Sequence, residues 1–145
     1  MKNSVLYYSV GPLLYCPANH TGIADSLIRE RFGTHYSLAL CLEDTISDSH
    51  VEAAEQQLAA TMEKLCRNLE KQSFFLPKIF VRVRNPVQIA RLMILPGNAS
   101  HLIHGFIIPK FSLKNADSYI EAILSANQNS AKPVYMMPIL EDPSL

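Results

Sequence analysis

The sequence predicts an α/β fold built on a parallel sheet, and three observations carry that prediction. Five short strand-like runs are apolar on both faces instead of alternating, amphipathic helical stretches separate them, and the runs begin near residues 13, 37, 79, 105 and 134. The mean spacing of about 30 residues is the size of one βα module. Strands that are apolar throughout need cover on both faces, which parallel sheets with flanking helices supply. A chain of 145 residues is long enough for one domain with a real core, taken here as residues 1–145.

The elements follow in order. Residues 13–16 (LLYC) form an apolar run closed by Pro17, a buried strand running into a loop. Residues 20–32 carry Ile23, Leu27, Ile28 and Phe32 at helical spacing, with Gly33 as the expected C-cap. Residues 37–42 (SLALCL) are a second strand that stops at Glu43-Asp44. A long helix is predicted over 50–71, with Val51, Ala54, Leu58, Met62, Leu65 and Leu69 along one stripe. Ser47, Asp48 and Ser49 are its candidate N-caps. Residues 79–83 (IFVRV) form a third strand, 87–95 a short helix after Pro86, and 105–108 (GFII) a fourth strand halted by Pro109-Lys110. A last helix is predicted over 113–126, with Asn115 or Asp117 near its start, and a fifth strand over 134–140 that ends at Glu141-Asp142.

Composition excludes several functions. Thirteen Lys+Arg balance thirteen Asp+Glu, so neither nucleic acid nor an anionic membrane is expected to be held by bulk charge. Only 18% of residues are charged, 48% are hydrophobic, and nine prolines and five glycines make no linker. Disorder is therefore not expected, and the low charge predicts hidden surface, in a layered fold or a homo-oligomer. Cys16, Cys41 and Cys66 are widely spaced and lack a CxxC, which argues against disulfides and structural zinc and for a reducing, cytoplasmic setting. The start of the chain resembles an export leader only weakly, because Gly11-Pro12 breaks its apolar run and bulky Tyr15 precedes Cys16. No segment reaches the roughly 18 apolar residues of a membrane span. The five histidines form no HxH or HExxH pattern, and neither GxSxG nor GxGxxG occurs.

In parallel α/β folds ligands sit beyond the carboxyl ends of the strands. The candidates there are Asn19 after the first strand, Glu43 and Asp44 after the second, Arg82 at the third, Lys110 after the fourth and Glu141 after the fifth. Such a set suits a hard cation such as Mg²⁺ together with an anionic substrate. Each residue also has a plainer reading. Glu43-Asp44 is then a solvated strand end, Arg82 a structural ion pair and Lys110 a loop charge. Arg84, at the strand exit, is expected to face solvent.

Several of these segments share a further pattern. Tyr15-Cys16-Pro17-Ala18-Asn19, Leu40-Cys41-Leu42-Glu43-Asp44, Val81-Arg82-Val83, Ile107-Ile108-Pro109-Lys110 and Pro138-Ile139-Leu140-Glu141 resemble, in order, the strand-end motifs of the HpcH/HpaI aldolase and citrate lyase β-subunit family. The resemblance implies a (β/α)8 TIM barrel that makes or breaks carbon–carbon bonds in acyl-CoA or 2-keto-acid substrates. It implies Mg²⁺ or Mn²⁺ as cofactor, with CoA as a possible part of the substrate. By the same resemblance Glu141 is a metal ligand, Arg82 holds the substrate carbonyl or carboxylate, and Asn19 lies at the substrate. Asp44, with Glu43 beside it, orients Arg82 or handles protons, and Lys110 shapes the pocket.

The departures mark a divergent branch. Cys41 stands where the family has Asp, Arg84 where it has Asn, and Asp142-Pro143-Ser144-Leu145 where it has Thr-Ala-Arg-Gly. A TIM barrel has eight strands and five are read here, so the resemblance implies the N-terminal portion of a longer barrel. The alternative is a complete five-stranded flavodoxin-like sheet, serving as a binding or receiver-type signalling module. Against a receiver, Arg82 and Arg84 stand where a phospho-acceptor Asp is wanted.

Overall fold

A computed structural model describes residues 10–141, and residues 1–9 of the leader-like start and the Asp142-Pro143-Ser144-Leu145 end lie outside it. Five strands, β1 (Leu13–Pro17), β2 (Ser37–Cys41), β3 (Lys78–Arg82), β4 (Ile103–Ile108) and β5 (Tyr135–Pro138), form one sheet. All are parallel and paired in chain order, β1-β2-β3-β4-β5. That order overturns the flavodoxin-like alternative, whose sheet runs 2-1-3-4-5. A sheet wound in one direction is a segment of a βα barrel. Among the described residues no helix is long and apolar enough to cross a membrane.

The four helices are α1 (Ile23–Ile28), α2 (Val51–Lys71), α3 (Pro86–Ile94) and α4 (Ala116–Gln128). Strand side chains alternate between two environments. Leu38, Leu40, Ile79, Val81, Phe106 and Ile108 pack with Leu27, Leu58, Met62, Ile89, Leu92 and Ile123 of the helices. Ala39, Phe80 and Ile107 point the other way and pack with Val10, Leu13, Met137 and Ile139. Helices therefore cover one face, not both as the apolar runs suggested, and Tyr15 on the opposite face is 52% exposed. Apolar runs arise here because the second face is lined by the strands' own side chains.

Some boundaries differ from the sequence reading. α1 stops at Ile28, not near residue 32, because Glu30 takes a left-handed conformation (φ 54°). The Glu30 N–H donates to the Leu27 carbonyl and the Arg31 N–H to that of Ser26, a Schellman ending in which Glu30, not Gly33, is the terminating residue. The Glu30 carboxylate also accepts from the Phe75 N–H at 2.9 Å, which anchors this unusual position. A short 3-10 turn, Asp48–His50, precedes α2, and Ser47 stands at the head of that turn without a side-chain capping hydrogen bond. α3 opens with Pro86 behind Asn85, whose Oδ1 accepts from the Gln88 N–H at 3.0 Å. α4 starts at Ala116 behind Asn115, and a second 3-10 segment, Gly97–Leu102, leads into β4.

β4 begins two residues before the predicted start and carries a bulge. Ile79 pairs with Ile103, but Phe80 pairs with Gly105, so His104 is the extra residue. Its ring stands 5.3 Å from Phe80 and 4.9 Å from Tyr135. Gly105 is required by close approach, since a Cβ there would lie 2.5 Å from the Tyr135 carbonyl oxygen.

Gly105→Ala should therefore destabilise the chain by about 1–3 kcal/mol, the usual cost of overpacking. Urea denaturation measures this, and a cost near zero would mean the β4–β5 pair can spread. His104 gives a pH test. Burial first, and the Lys78 charge second, hold its pKa below the ordinary 6.5. The unfolded chain then takes up the proton first, so this contribution is present above pH 6.5 and is lost as pH falls below it. Thermal midpoints from about pH 8 to about pH 5.5 should fall less steeply in His104→Gln than in wild type.

Candidate active site

Arg82 ends β3 on the same side of the sheet as Phe80. A guanidinium at the end of an apolar strand needs anionic partners, and the adjacent β2 supplies them just past its last residue. Arg82 Nη2 lies 3.1 Å from Asp44 Oδ2 and 3.6 Å from Glu43 Oε1. The side chains of Arg82 and Glu43 are only 17% and 11% exposed, against 63% for Asp44. The Arg82 Nε and both Glu43 oxygens are buried without a hydrogen-bond partner. Buried polar atoms are rarely left unmet, so unmet atoms on two facing side chains mark a place for a polar ligand.

The two acids are pushed in opposite directions. Burial, followed by the neighbouring Asp44 carboxylate, pushes the Glu43 carboxyl above its ordinary value, and Arg82 opposes this. Asp44 is held low, first by the neighbouring Glu43 side chain and then by Arg82 and Lys110. As pH falls the pair therefore takes up its first proton on Glu43.

Lys110 follows β4 with a left-handed backbone (φ 52°). Its N–H donates to Glu141 Oε1 at 3.1 Å and its carbonyl accepts from Asn115 Nδ2 at 3.0 Å. A polar cavity of about 600 Å³ is lined by Glu43, Asp44, Arg84, Lys110, Asn115 and Tyr119 among others. Burial, then the Glu43 charge, raises the Tyr119 phenol.

Arg82, Glu43, Asp44 and Lys110 thus share one rim. Glu141 joins it through the Lys110 backbone, while Asn19 is exposed beyond β1 and makes none of these contacts. Among the described residues no three His, Cys, Asp or Glu side chains gather where they could hold a metal ion.

Arg84 corrects the sequence reading. Instead of facing solvent, its guanidinium donates to the carbonyls of Leu42, Glu43 and Ile46 at 3.2, 3.2 and 2.9 Å and pairs with Asp48. The available signal was its departure from the family Asn. Tyr119 was also missed, because a tyrosine on a helical stripe reads as core.

A family model described as C–C bond lyase of the TIM-barrel fold matches residues 4–145. No curated protein matches. Among solved structures, protein CitE from Mycobacterium tuberculosis in complex with magnesium and pyruvate aligns at TM-score 0.48 and 15% identity, over 88% of this chain. The chain spans only 44% of that structure's length. CitE of the same organism with magnesium and acetate aligns at 0.31 and 14%, over 93% of this chain and 76% of the other. With magnesium, acetoacetate and coenzyme A it aligns at 0.30 and 15%, over 92% and 67%.

The raised Glu43 carboxyl has a stability consequence. Its contribution is fully present below about pH 4.5 and is lost as pH rises through the folded-state value. Glu43→Gln should therefore raise the thermal midpoint at pH 7 and leave it nearly unchanged at about pH 4.5. A lower midpoint at pH 7 would mean that the ionised carboxylate is held favourably by Arg82.

Proposed function

Since the chain belongs to the C–C bond lyases of the TIM-barrel fold, we propose that it acts on an acyl-CoA or 2-keto-acid substrate in the manner of the HpcH/HpaI aldolases and citrate lyase β-subunits. The observation that carries this reading is the buried Arg82 beside Glu43, with Nε and both carboxyl oxygens unmet. Breaking a carbon–carbon bond next to a carbonyl leaves the electron pair delocalised onto the carbonyl oxygen as an enolate. Arg82 donates to that oxygen, and a fixed donor at developing charge is the largest kind of catalytic contribution. The other fragment leaves as a carbonyl compound and gives its hydroxyl proton to the Glu43–Asp44 carboxyl pair, which returns a proton to the α-carbon as the enolate collapses. Run backwards, the same pair removes the proton and the bond forms.

Lys110 offsets the negative charge of the acids and substrate, and Asn19 contacts the part of the substrate nearest β1. Glu141 is the acid we propose for a divalent cation, Mg²⁺ or Mn²⁺, and that ion would add Lewis-acid stabilisation when bound. No step above depends on it, because Glu141 has no metal-binding companions among the described residues. A TIM barrel closes with eight strands and the described residues supply five. We therefore read residues 1–145 as one α/β domain forming the first part of a barrel whose other strands lie elsewhere.

Titration calorimetry with pyruvate or oxaloacetate and Mg²⁺ tests the proposal. Arg82→Ala should weaken binding by roughly 10- to 100-fold, the loss expected for a hydrogen bond between charged groups, with far-UV circular dichroism unchanged. Glu141→Gln should remove only the Mg²⁺-dependent part. Binding that survives Arg82→Ala, or no binding to wild type, would overturn the reading.

A further inference from the structure

We infer that Arg84 is the positioning residue of this site, clamping the loop after β2 by its backbone so that Glu43 and Asp44 face Arg82. The consequence for substrate rests on the reading above; the clamp itself does not. The loop runs from Leu42 to the 3-10 turn at Asp48, and three of its carbonyls converge on one nitrogen. Arg84 Nη1 lies 3.2 Å from the Leu42 and Glu43 oxygens and 2.9 Å from that of Ile46, and Nη2 reaches Asp48. Three carbonyl oxygens turned towards one point repel each other unless a cation sits among them. Here the guanidinium fills that role.

The fork shape matters. One nitrogen serves the carbonyls and the other the Asp48 carboxylate, a division that a single ammonium group does not reproduce. The loop is also tied to β3, because the Leu42 N–H donates to the Arg82 carbonyl at 2.9 Å. It closes on itself through the Ile46 N–H and the Glu43 carbonyl at 3.1 Å. Two residues of one strand exit therefore divide the work. Arg82 engages the side chains of the acids and Arg84 engages the backbone that carries them.

Arg84 is itself held. Its N–H donates to Gln88 Oε1 at 2.8 Å. The fully buried Gln88 donates through Nε2 to Glu55 Oε2 on α2 at 2.7 Å, and Arg91 donates to the same oxygen at 2.8 Å. A continuous polar chain thus runs from α2 through α3 to the loop. Leu42 and Ile46 are buried, so losing the clamp frees the loop's polar backbone while its apolar anchors remain.

The test uses Arg84→Lys and Arg84→Gln in the 145-residue chain, with amide hydrogen exchange, thermal midpoint and calorimetry against pyruvate. Exchange at Ile46 should rise about tenfold or more, as expected for lost hydrogen bonds to a charged donor. Amides of α2 should keep their protection, and pyruvate affinity should fall about tenfold. Unchanged Ile46 exchange in both variants would overturn the clamp, as would equal loss of protection throughout α2, which signals general destabilisation. If Arg84→Gln does not fold, Arg84→Lys decides. Faster Ile46 exchange in a chain whose wild type binds no pyruvate upholds the clamp and sinks the functional reading. Tight pyruvate binding with Ile46 undisturbed does the reverse.

Discussion

A guanidinium fixed at the inner end of a strand must find its counter-charges within a few ångströms, and the rest of the site is organised by that requirement. Arg82 and Glu43 are largely withdrawn from water while Asp44 is 63% exposed, so desolvation offsets the attraction in one pair and solvent screens it in the other, and the triad adds little to stability. What it sets is arrangement: the acid pair cannot leave Arg82 without stranding a charge, and Arg82 cannot turn into the apolar sheet.

Much of this was legible in the sequence for a simple reason. Strand ends in a parallel sheet gather at one edge, so residues far apart in sequence come together once the strands are recognised. Apolar runs at βα spacing identified the strands, and an arginine inside such a run identified itself by its cost. Glu43 and Asp44 needed only to follow the neighbouring strand. Lys110 needed only to follow the next one.

The parts that stayed hidden depend on backbone geometry that residue type does not report. Glu30 ends α1 in a left-handed conformation normally given to glycine, and its side-chain bond to the Phe75 N–H is a contact across 45 positions. The bulge at His104 adds one residue without changing the apolar character of β4. Arg84 looked like a solvent-facing charge because its partners are main-chain carbonyls, and any sequence offers those. The helix-covered face was overestimated for a related reason: an inner barrel face and a second helix-covered face demand the same apolar residues.

The register of the sheet explains why Arg82 reaches towards the acids. Pro17, Cys41, Arg82, Ile107 and Met137 stand in one row across the five strands. The row beneath holds Tyr15, Ala39, Phe80, Gly105 and Tyr135. Phe80 is fitted between the small Ala39 and Gly105, and the bulged His104 ring packs edge-on against it. Below Arg82 there is thus an aromatic floor, and beside it apolar side chains. The only direction that offers a counter-charge is outward, past the strand end, to Glu43 and Asp44. A polar group settling on such a floor would meet the guanidinium and the Glu43 carboxyl from the same side, away from bulk water, where charge is screened least. The apolar register of the inner face and the charge at its rim are therefore one design, and displacing either would undo the other.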